Sequence, residues 1–493
     1  MSEFANMLNR LSTVTESENQ GRVFTTTGSK LLDFYSTLGS MRQRSESDII
    51  EKYLMARADN KELADNCILY ARDIRNGGLG ERRMGRILLR ELGQMNPIKV
   101  SKNLDKIVSC GRWDDLWVLF GTPVEVDVIE YVANQFRTDV AAMKAGKSIS
   151  LMSKWLPSIN TSSAETRARA RMLCKELGLT EKTYRKTLAA LRKYSNVVER
   201  TMSDRNWNEI NFESVPSVAM SRYISTFDRH LPSEFMEYKA ALSKGEAAVK
   251  AATLYPYDIT QKFFKSGHEC WGHFEGGKLD PVDEAQWNAL PNYIDAGYDV
   301  LILADVSGSM YVNNCQPLAT SIGLATYFAQ RNKGAYHGMY ITFTKEPHVI
   351  KISDEWSLEE TLTYVANTDM GYNTNLDGAF KAIYDIAAEV HEVPKALVVI
   401  SDMEIDSWYG GNFCDSIVSK WKKEYAKIGL EAPKLILWNV ESRGDRSIAQ
   451  QTDNVGYCSG FGVGPFKNLT ELITMSAWDS MVKILTQPQF CWQ

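Results

Sequence analysis

Two periodicities divide the chain. From Thr27 to Leu290 the apolar residues recur at the three-to-four spacing of amphipathic helices, and after about residue 298 short apolar runs alternate with helical stretches. The first pattern predicts helices over residues 29–38, 46–73, 81–92, 173–177, 182–194 and 235–243. In residues 46–73 the stripe is Ile49, Ile50, Tyr53, Leu54, Leu63, Cys67, Leu69 and Tyr70. Asn76-Gly77-Gly78-Leu79-Gly80, Gly111 and Gly121-Thr122-Pro123 are the breaks. Helices joined by short turns, with no strands between them, read as stacked helical pairs; with no exact repeat period, a degenerate HEAT-like solenoid is expected. The second pattern predicts strands over residues 300–304, 336–343, 348–352, 396–400, 434–439 and 455–458. Helices are expected over residues 317–330, 358–366, 376–390, 415–427 and 467–484. That alternation implies a mostly parallel, doubly wound α/β sheet covered on both faces.

The expected organisation is therefore a flexible N-terminus (1–25), an all-α helical-repeat domain (26–275), a Gly-, Asp- and Pro-rich linker (276–297) and an α/β domain (298–493). A chain of 493 residues can bury a large core, and 44% apolar with 24% charged residues is ordinary for a globular protein. The net charge of −5 excludes a uniformly basic nucleic-acid binder, but the charge is uneven. Residues 301–493 hold 15 Lys/Arg against 22 Asp/Glu, whereas residues 151–200 hold 11 against 4. The eight cysteines are widely and irregularly spaced, with no C-x-x-C pair, and read as reduced thiols of a cytoplasmic protein. Residues 1–20 lack the apolar core of a signal peptide, and no run of about 18 apolar residues is present, so no membrane association is expected.

The densest chemistry lies where an apolar strand ends in Asp305-Val306-Ser307-Gly308-Ser309. The C-terminal end of such a strand is where an open α/β sheet places its ligand. One carboxylate and two hydroxyls there are hard oxygen donors suited to Mg²⁺ or Mn²⁺. Two further segments belong with it: the polar turn Gly371-Tyr372-Asn373-Thr374-Asn375, and the strand Ala396-Leu397-Val398-Val399-Ile400-Ser401-Asp402. Together the three pieces resemble the metal-ion-dependent adhesion site (MIDAS) of a von Willebrand factor A domain. Carried over residue by residue, the resemblance implies that Asp305, Ser307, Ser309, Thr374 and Asp402 surround a divalent metal, with the hydroxyls ligating directly and the aspartates often acting through water. It also implies one open position for a carboxylate from a protein partner.

Three segments of the helical half are similar to a family related to the TROVE module, the RNA-binding part of the Ro ribonucleoproteins. They are Asp73-Ile74-Arg75-Asn76-Gly77-Gly78-Leu79-Gly80-Glu81-Arg82, Gly111-Arg112-Trp113-Asp114-Asp115-Leu116, and Asn196-Val197-Val198-Glu199 through Val215-Pro216-Ser217. The order of domains also matches. The resemblance implies a ring of HEAT-like helices ahead of the A domain, holding small non-coding or misfolded RNA on its basic outer face and single-stranded ends in its hole.

The residues themselves supply candidate phosphate contacts. Arg75, Arg82, Arg83 and Arg86 flank a glycine turn, with Arg83, Arg86 and Arg90 on one helical face. Arg167, Arg171 and Lys175 share a second face, and Lys182, Arg185 and Lys186 a third; Arg169, Arg192 and Lys193 complete the cluster. Trp155, Tyr184 and Tyr194 lie among these cations, as they would in a surface that stacks unpaired bases. A solvated helix face is the plain alternative. His268, Cys270 and His273 lie close enough to share a zinc ion, but no fourth ligand is evident nearby. Nor is there a nucleophile paired with a general base, so the reading is of a non-catalytic RNA-binding scaffold with a metal site. The alternative is a metal-dependent protein-binding module without RNA.

Overall fold

The structure, a computed structural model, describes residues 3–195, 197–270, 273–294, 297–368, 371–412 and 415–493. The chain divides into two compact units. One comprises Met1–Met84 and Ala251–Cys491; the other comprises Gly85–Lys250 with Trp492–Gln493. The expected boundary at 276–297 is thus replaced by two, near residues 84 and 251. Residues 281–288 form a helix, Pro281–Asn288, capped by Asp280 and anchored by the buried Trp287, where a linker was expected.

The first unit is built on a six-stranded sheet. Ten strands are described: β1 (Val14–Glu16), β2 (Arg22–Phe24), β3 (His268–Cys270), β4 (His273–Glu275), β5 (Val300–Asp305), β6 (Met339–Phe343), β7 (Pro347–Lys351), β8 (Ala396–Ser401), β9 (Lys434–Asn439) and β10 (Gly456–Ser459). β1 with β2, and β3 with β4, form two-stranded antiparallel ribbons. The other six order as β10-β9-β8-β5-β6-β7, all parallel except β7, which returns beside β6. β5 and β8 are central and buried almost throughout, which explains why their sequences, Val-Leu-Ile-Leu-Ala-Asp and Ala-Leu-Val-Val-Ile-Ser, do not alternate. The chain leaves β5 toward β6 on one side and returns to β8 on the other. The crevice at the carboxyl ends of β5 and β8 is therefore the switch point of the sheet.

Helix Val312–Arg331 packs on β5 and, on its other side, meets helix Pro256–Ser266 so closely that a Cβ at Gly323 would lie 3.0 Å from the Thr260 hydroxyl. That hydroxyl donates to the Ala319 carbonyl at 2.7 Å. Within the first turn of this helix, Asn313, Asn314 and Cys315 all have left-handed φ between 54° and 59°. Three consecutive left-handed non-glycine residues store backbone strain beside the switch point.

Residues 3–25 are built in. Helix Glu3–Leu11 leads into the β1–β2 hairpin, and Arg10 pairs with the buried Asp453 at 2.8 Å. Phe24 and Ser447 form a β-bridge, as do Gln20 and Asp406. The partners of this segment lie some 400 residues away, which is why local pattern gave no sign of them. Residues 46–73, expected as one helix, are two, Glu46–Asp59 and Lys61–Arg72. Asn60 takes extended backbone angles, ends the first helix, and caps the second by accepting from Leu63 N at 3.0 Å. The expected helix over 467–484 is likewise broken, with Ser476 capping Ala477–Leu485.

The second unit is helical. Glu125–Lys144, Ala164–Leu177 and Glu181–Tyr194 pack together, with Phe136 and Tyr184 stacked at 5.8 Å. Phe212, Phe227, Phe235 and Tyr238 form an aromatic cluster around helices Ser217–His230 and Pro232–Lys244. The zinc reading falls on His268, Cys270 and His273, whose side chains lie outside the described residues. The described cysteines are free thiols, and among the described residues no helix is long and apolar enough to cross a membrane.

The double duty of Asn60 makes it a sensitive position. Asn60→Ala is expected to cost about 1 kcal/mol, the usual loss of a helix N-cap, read as a lower urea midpoint for the transition followed by far-UV circular dichroism.

Candidate functional site

Of the five expected metal-site residues, Asp305, Ser307, Ser309 and Asp402 meet at the switch point, and Thr374 is carried on an adjoining turn. Asp305 ends β5 and Asp402 immediately follows β8. β5 and β8 are in parallel register from Val300–Ala396 to Ala304–Ile400, so the two strand ends emerge side by side. The Ser401 hydroxyl donates to Asp305 Oδ2 at 2.6 Å, and Ser307 N donates to Oδ1 at 2.9 Å. The hydroxyls of Ser307 and Ser309 are 3.1 Å apart. Thr374 is delivered by the turn before helix Leu376–Val390 and tied to the β8 loop, because its N–H donates to Asp406 Oδ2 at 2.9 Å and Asp406 N donates to its carbonyl at 3.0 Å.

A solvent-facing strand end would have left Asp305 wet, but Asp305, Ser307 and Thr374 are fully buried and Asp402 is 2% exposed. Desolvation is the main reason the Asp305 carboxyl is pushed up to about 7, with the neighbouring Asp402 carboxylate adding to it and the Ser401 and Ser307 hydrogen bonds opposing. Asp402 is also raised by burial, against the pull of Arg443. Asp402 Oδ1 accepts from Glu404 N at 3.2 Å. Its Oδ2 accepts no hydrogen bond, and Arg443 Nη2 stands 3.2 Å away. The same guanidinium donates to the Ser309 carbonyl. Two buried carboxylates, one with an oxygen left without a hydrogen bond, and three neutral hydroxyls form a donor set suited to a hard divalent cation. Among the described residues no cluster of three His, Cys, Asp or Glu side chains is placed to hold a metal, so this mixed set differs from a zinc-type site.

The remainder of the site could not be read from the sequence. The turn between β1 and β2 lies over it. Ser17 Oγ donates to the Ile405 carbonyl at 2.5 Å, Glu18 N to Glu404 Oε2 at 2.8 Å, and Asn19 Nδ2 to the Glu404 carbonyl at 2.8 Å and to Thr374 Oγ1 at 3.4 Å. A Cβ at Gly21 would lie 2.4 Å from the Ile405 carbonyl oxygen, so glycine is what lets the turn seat. Glu18 Oε2 is 3.4 Å from Arg443 Nη1, and Arg446 pairs with Glu404 at 2.9 Å. The one local signal was the run of three acids, Asp402, Glu404 and Asp406, just past the end of β8. A cavity of about 700 Å³ lies elsewhere, at the opposite ends of β8 and β9 beside Trp421 and Tyr425, and contains none of these residues.

The expected RNA-contacting cations separate into two groups. Arg86 is committed to Asp115 and Asp114, both at 2.6 Å. Arg192 donates to the Ser153 and Leu156 carbonyls and to Ser158 Oγ. Arg167 donates to the Thr161 and Ser162 carbonyls, and Arg169 pairs with Glu165 beneath the Phe120 ring. These four serve the scaffold, because they are the polar partners of half-buried turns. Arg171, Lys175, Lys182, Arg185, Lys186 and Lys193 are exposed, with Arg171 paired to Glu181 at 2.9 Å. Arg75, Arg82 and Arg83 are exposed, and Arg83 donates to the Arg42 carbonyl. Of the aromatics, Tyr184 is buried, Trp155 is covered by Arg112 at 4.3 Å, and Tyr194 is exposed.

Comparison with known proteins finds matches for both regions. Residues 299–482 match the model of a Domain of unknown function (DUF7788), and residues 124–296 match a second Domain of unknown function (DUF2828). The chain is 26% identical to Uncharacterized protein L728 of Acanthamoeba polyphaga mimivirus, across 90% of this chain and 82% of that protein. Among solved structures it is similar to the crystal structure of the Deinococcus radiodurans RO (RSR) protein, with 15% identity and a TM-score of 0.40, covering 91% of this chain and 99% of that one.

The raised Asp305 carboxyl fixes a sign. Without metal, the native state keeps this proton to higher pH than the unfolded chain does, so stability falls as pH rises from about 4 to about 7. In chelator-treated protein, urea midpoints are expected to drop across that window, and the drop is expected to shrink in Asp305→Asn.

Proposed function

We propose that the protein is a non-catalytic RNA-binding scaffold of the Ro/TROVE kind, with a von Willebrand A-like domain that carries a MIDAS metal, Mg²⁺ or Mn²⁺. The observation that carries the metal reading is the convergence of Asp305, Ser307, Ser309 and Asp402 at one switch point, with Thr374 on an adjoining turn and Asp402 Oδ2 lacking a hydrogen bond. In this reading Ser307, Ser309 and Thr374 supply neutral oxygens and the two aspartates supply charge. The bound cation would offset the repulsion between those carboxylates and offer a contact point to an acidic group. No general base is assigned to the serines; the Ser307 hydroxyl is beside that of Ser309. Asp305→Ala is expected to abolish Mg²⁺ binding measured by titration calorimetry, and unchanged binding would remove the assignment. Because ionised carboxylates must take up the metal, affinity is expected to rise with pH up to about 7 in the wild type.

The RNA reading rests on the sequence resemblance and on the exposed cations of Ala164–Leu177 and Glu181–Tyr194. Lys182, Arg185 and Lys186 stand on one helix with Lys175 and Lys193 nearby in sequence, enough to contact several phosphates. In filter binding with a structured RNA and a single-stranded oligoribonucleotide, the triple variant Lys182→Glu/Arg185→Glu/Lys186→Glu is expected to lose about tenfold or more in affinity and to flatten the salt dependence. Wild-type protein that binds neither RNA at low salt would end this reading.

A second reading is a metal-dependent protein-binding module. It is favoured by Tyr372, which is 85% exposed and packs beside Gly308 of the metal loop, where a partner would meet it.

A further inference from the structure

The five motif residues do not complete the site; the turn that lies over them brings a sixth oxygen-bearing side chain. Glu18 is the one carboxylate of the segment Ser17–Gly21, and its position is fixed from the backbone. Glu18 N is bonded to Glu404, Ser17 Oγ to the Ile405 carbonyl, and Asn19 to both the Glu404 carbonyl and the Thr374 hydroxyl. The backbone of the turn is thus docked on the same loops that present Thr374 and Asp402. The Glu18 side chain is held far more loosely. It is 47% exposed, and its described ion pair is a 3.4 Å approach to Arg443 Nη1. The other end of that guanidinium touches Asp402 Oδ2 and the Ser309 carbonyl. Glu18 is therefore separated from the Asp402 carboxylate by the width of one guanidinium group, which is a positive charge already lodged against the candidate metal ligands.

We propose that Glu18 is the chain's own carboxylate ligand for the metal, occupying the outward position that an acidic partner would otherwise fill. This rests on the metal reading above and specifies how that site is regulated. A divalent cation beside Asp305 and Asp402 repels Arg443 and attracts Glu18, whose flexible side chain can exchange one cation for the other while the turn stays docked. An external carboxylate must then compete with a tethered one, and tethering gives the internal ligand the advantage of high effective concentration. Arg443 serves as the resting partner of Glu18 when the metal is away.

The test is Mn²⁺ binding to the full chain by calorimetry, with and without millimolar acetate. Glu18→Gln keeps the shape of the side chain and the backbone contacts of the turn. It is expected to weaken Mn²⁺ about tenfold, because affinity at oxygen sites follows the count of charged ligands. Acetate is expected to recover most of that loss in the variant while leaving the wild type unchanged. Glu16→Gln, at an exposed acid two residues away in β1, controls for the general loss of negative charge and is expected to bind as the wild type does. If Glu18→Gln binds Mn²⁺ as tightly as Glu16→Gln, Glu18 is not a ligand and the proposal fails with the metal site intact. If the wild type binds no Mn²⁺, the metal reading fails, and this proposal with it.

Discussion

Two carboxylates stand at the ends of neighbouring strands with almost no water around either. Asp305 and Asp402 are placed there by the parallel register of β5 and β8, and a set of hydrogen bonds and one guanidinium compensate for that placement. Ser401 and the Ser307 amide bond Asp305, the Glu404 amide bonds Asp402, and Arg443 stands against the remaining oxygen. Leaving two like charges together in a dry crevice is costly, and partial neutralisation by hydrogen bonds does not remove the repulsion. The loops, the cover turn and the guanidinium are best understood as one system organised around that repulsion.

The sheet was the most legible part of the sequence. β9 is found at the expected residues, and the other five strands of the sheet lie within a few residues of theirs, because the buried strands announce themselves as short apolar runs between turn signals and β7 follows one of them closely. The helices over Leu358–Ala366 and Leu376–Val390 were equally plain. What sequence pattern missed was long-range or irregular. Asn60 interrupts a continuous apolar stripe, and nothing in the stripe reveals that its side chain turns back as a cap. The first 25 residues looked polar and loose because their partners, Asp406, Ser447 and Asp453, lie at the far end of the chain. The same distance hid Glu18 and Arg443 from any motif search.

The glycine- and aspartate-rich segments of the first half have a structural explanation of their own. Asp73 is fully buried and accepts from Asn76 N at 2.6 Å, Asn76 Nδ2 at 2.8 Å and Gly78 N at 3.1 Å, so it is the core of the glycine turn. Glu81, at the end of that turn, takes a bidentate pair from Arg42. Asp114 and Asp115 perform the same service for Arg86. Charged residues in these segments mostly hold turns together, and charge counting alone overstates how many of the arginines face solvent.

The hairpin at the start of the chain has a consequence for how the protein is made. β1 and β2 are synthesised well before the residues they bridge to, and the helical unit between residues 85 and 250 emerges in the interval. Until Asp406, Ser447 and Asp453 arrive, the hairpin has only its own two short strands to hold it, and isolated hairpins are marginal in water. The unit of residues 85–250 can fold in that interval, whereas the hairpin must wait for the segments at Asp406 and Ser447. Late closure of this kind is slow, and it leaves an unpaired edge open to aggregation or to a chaperone throughout translation.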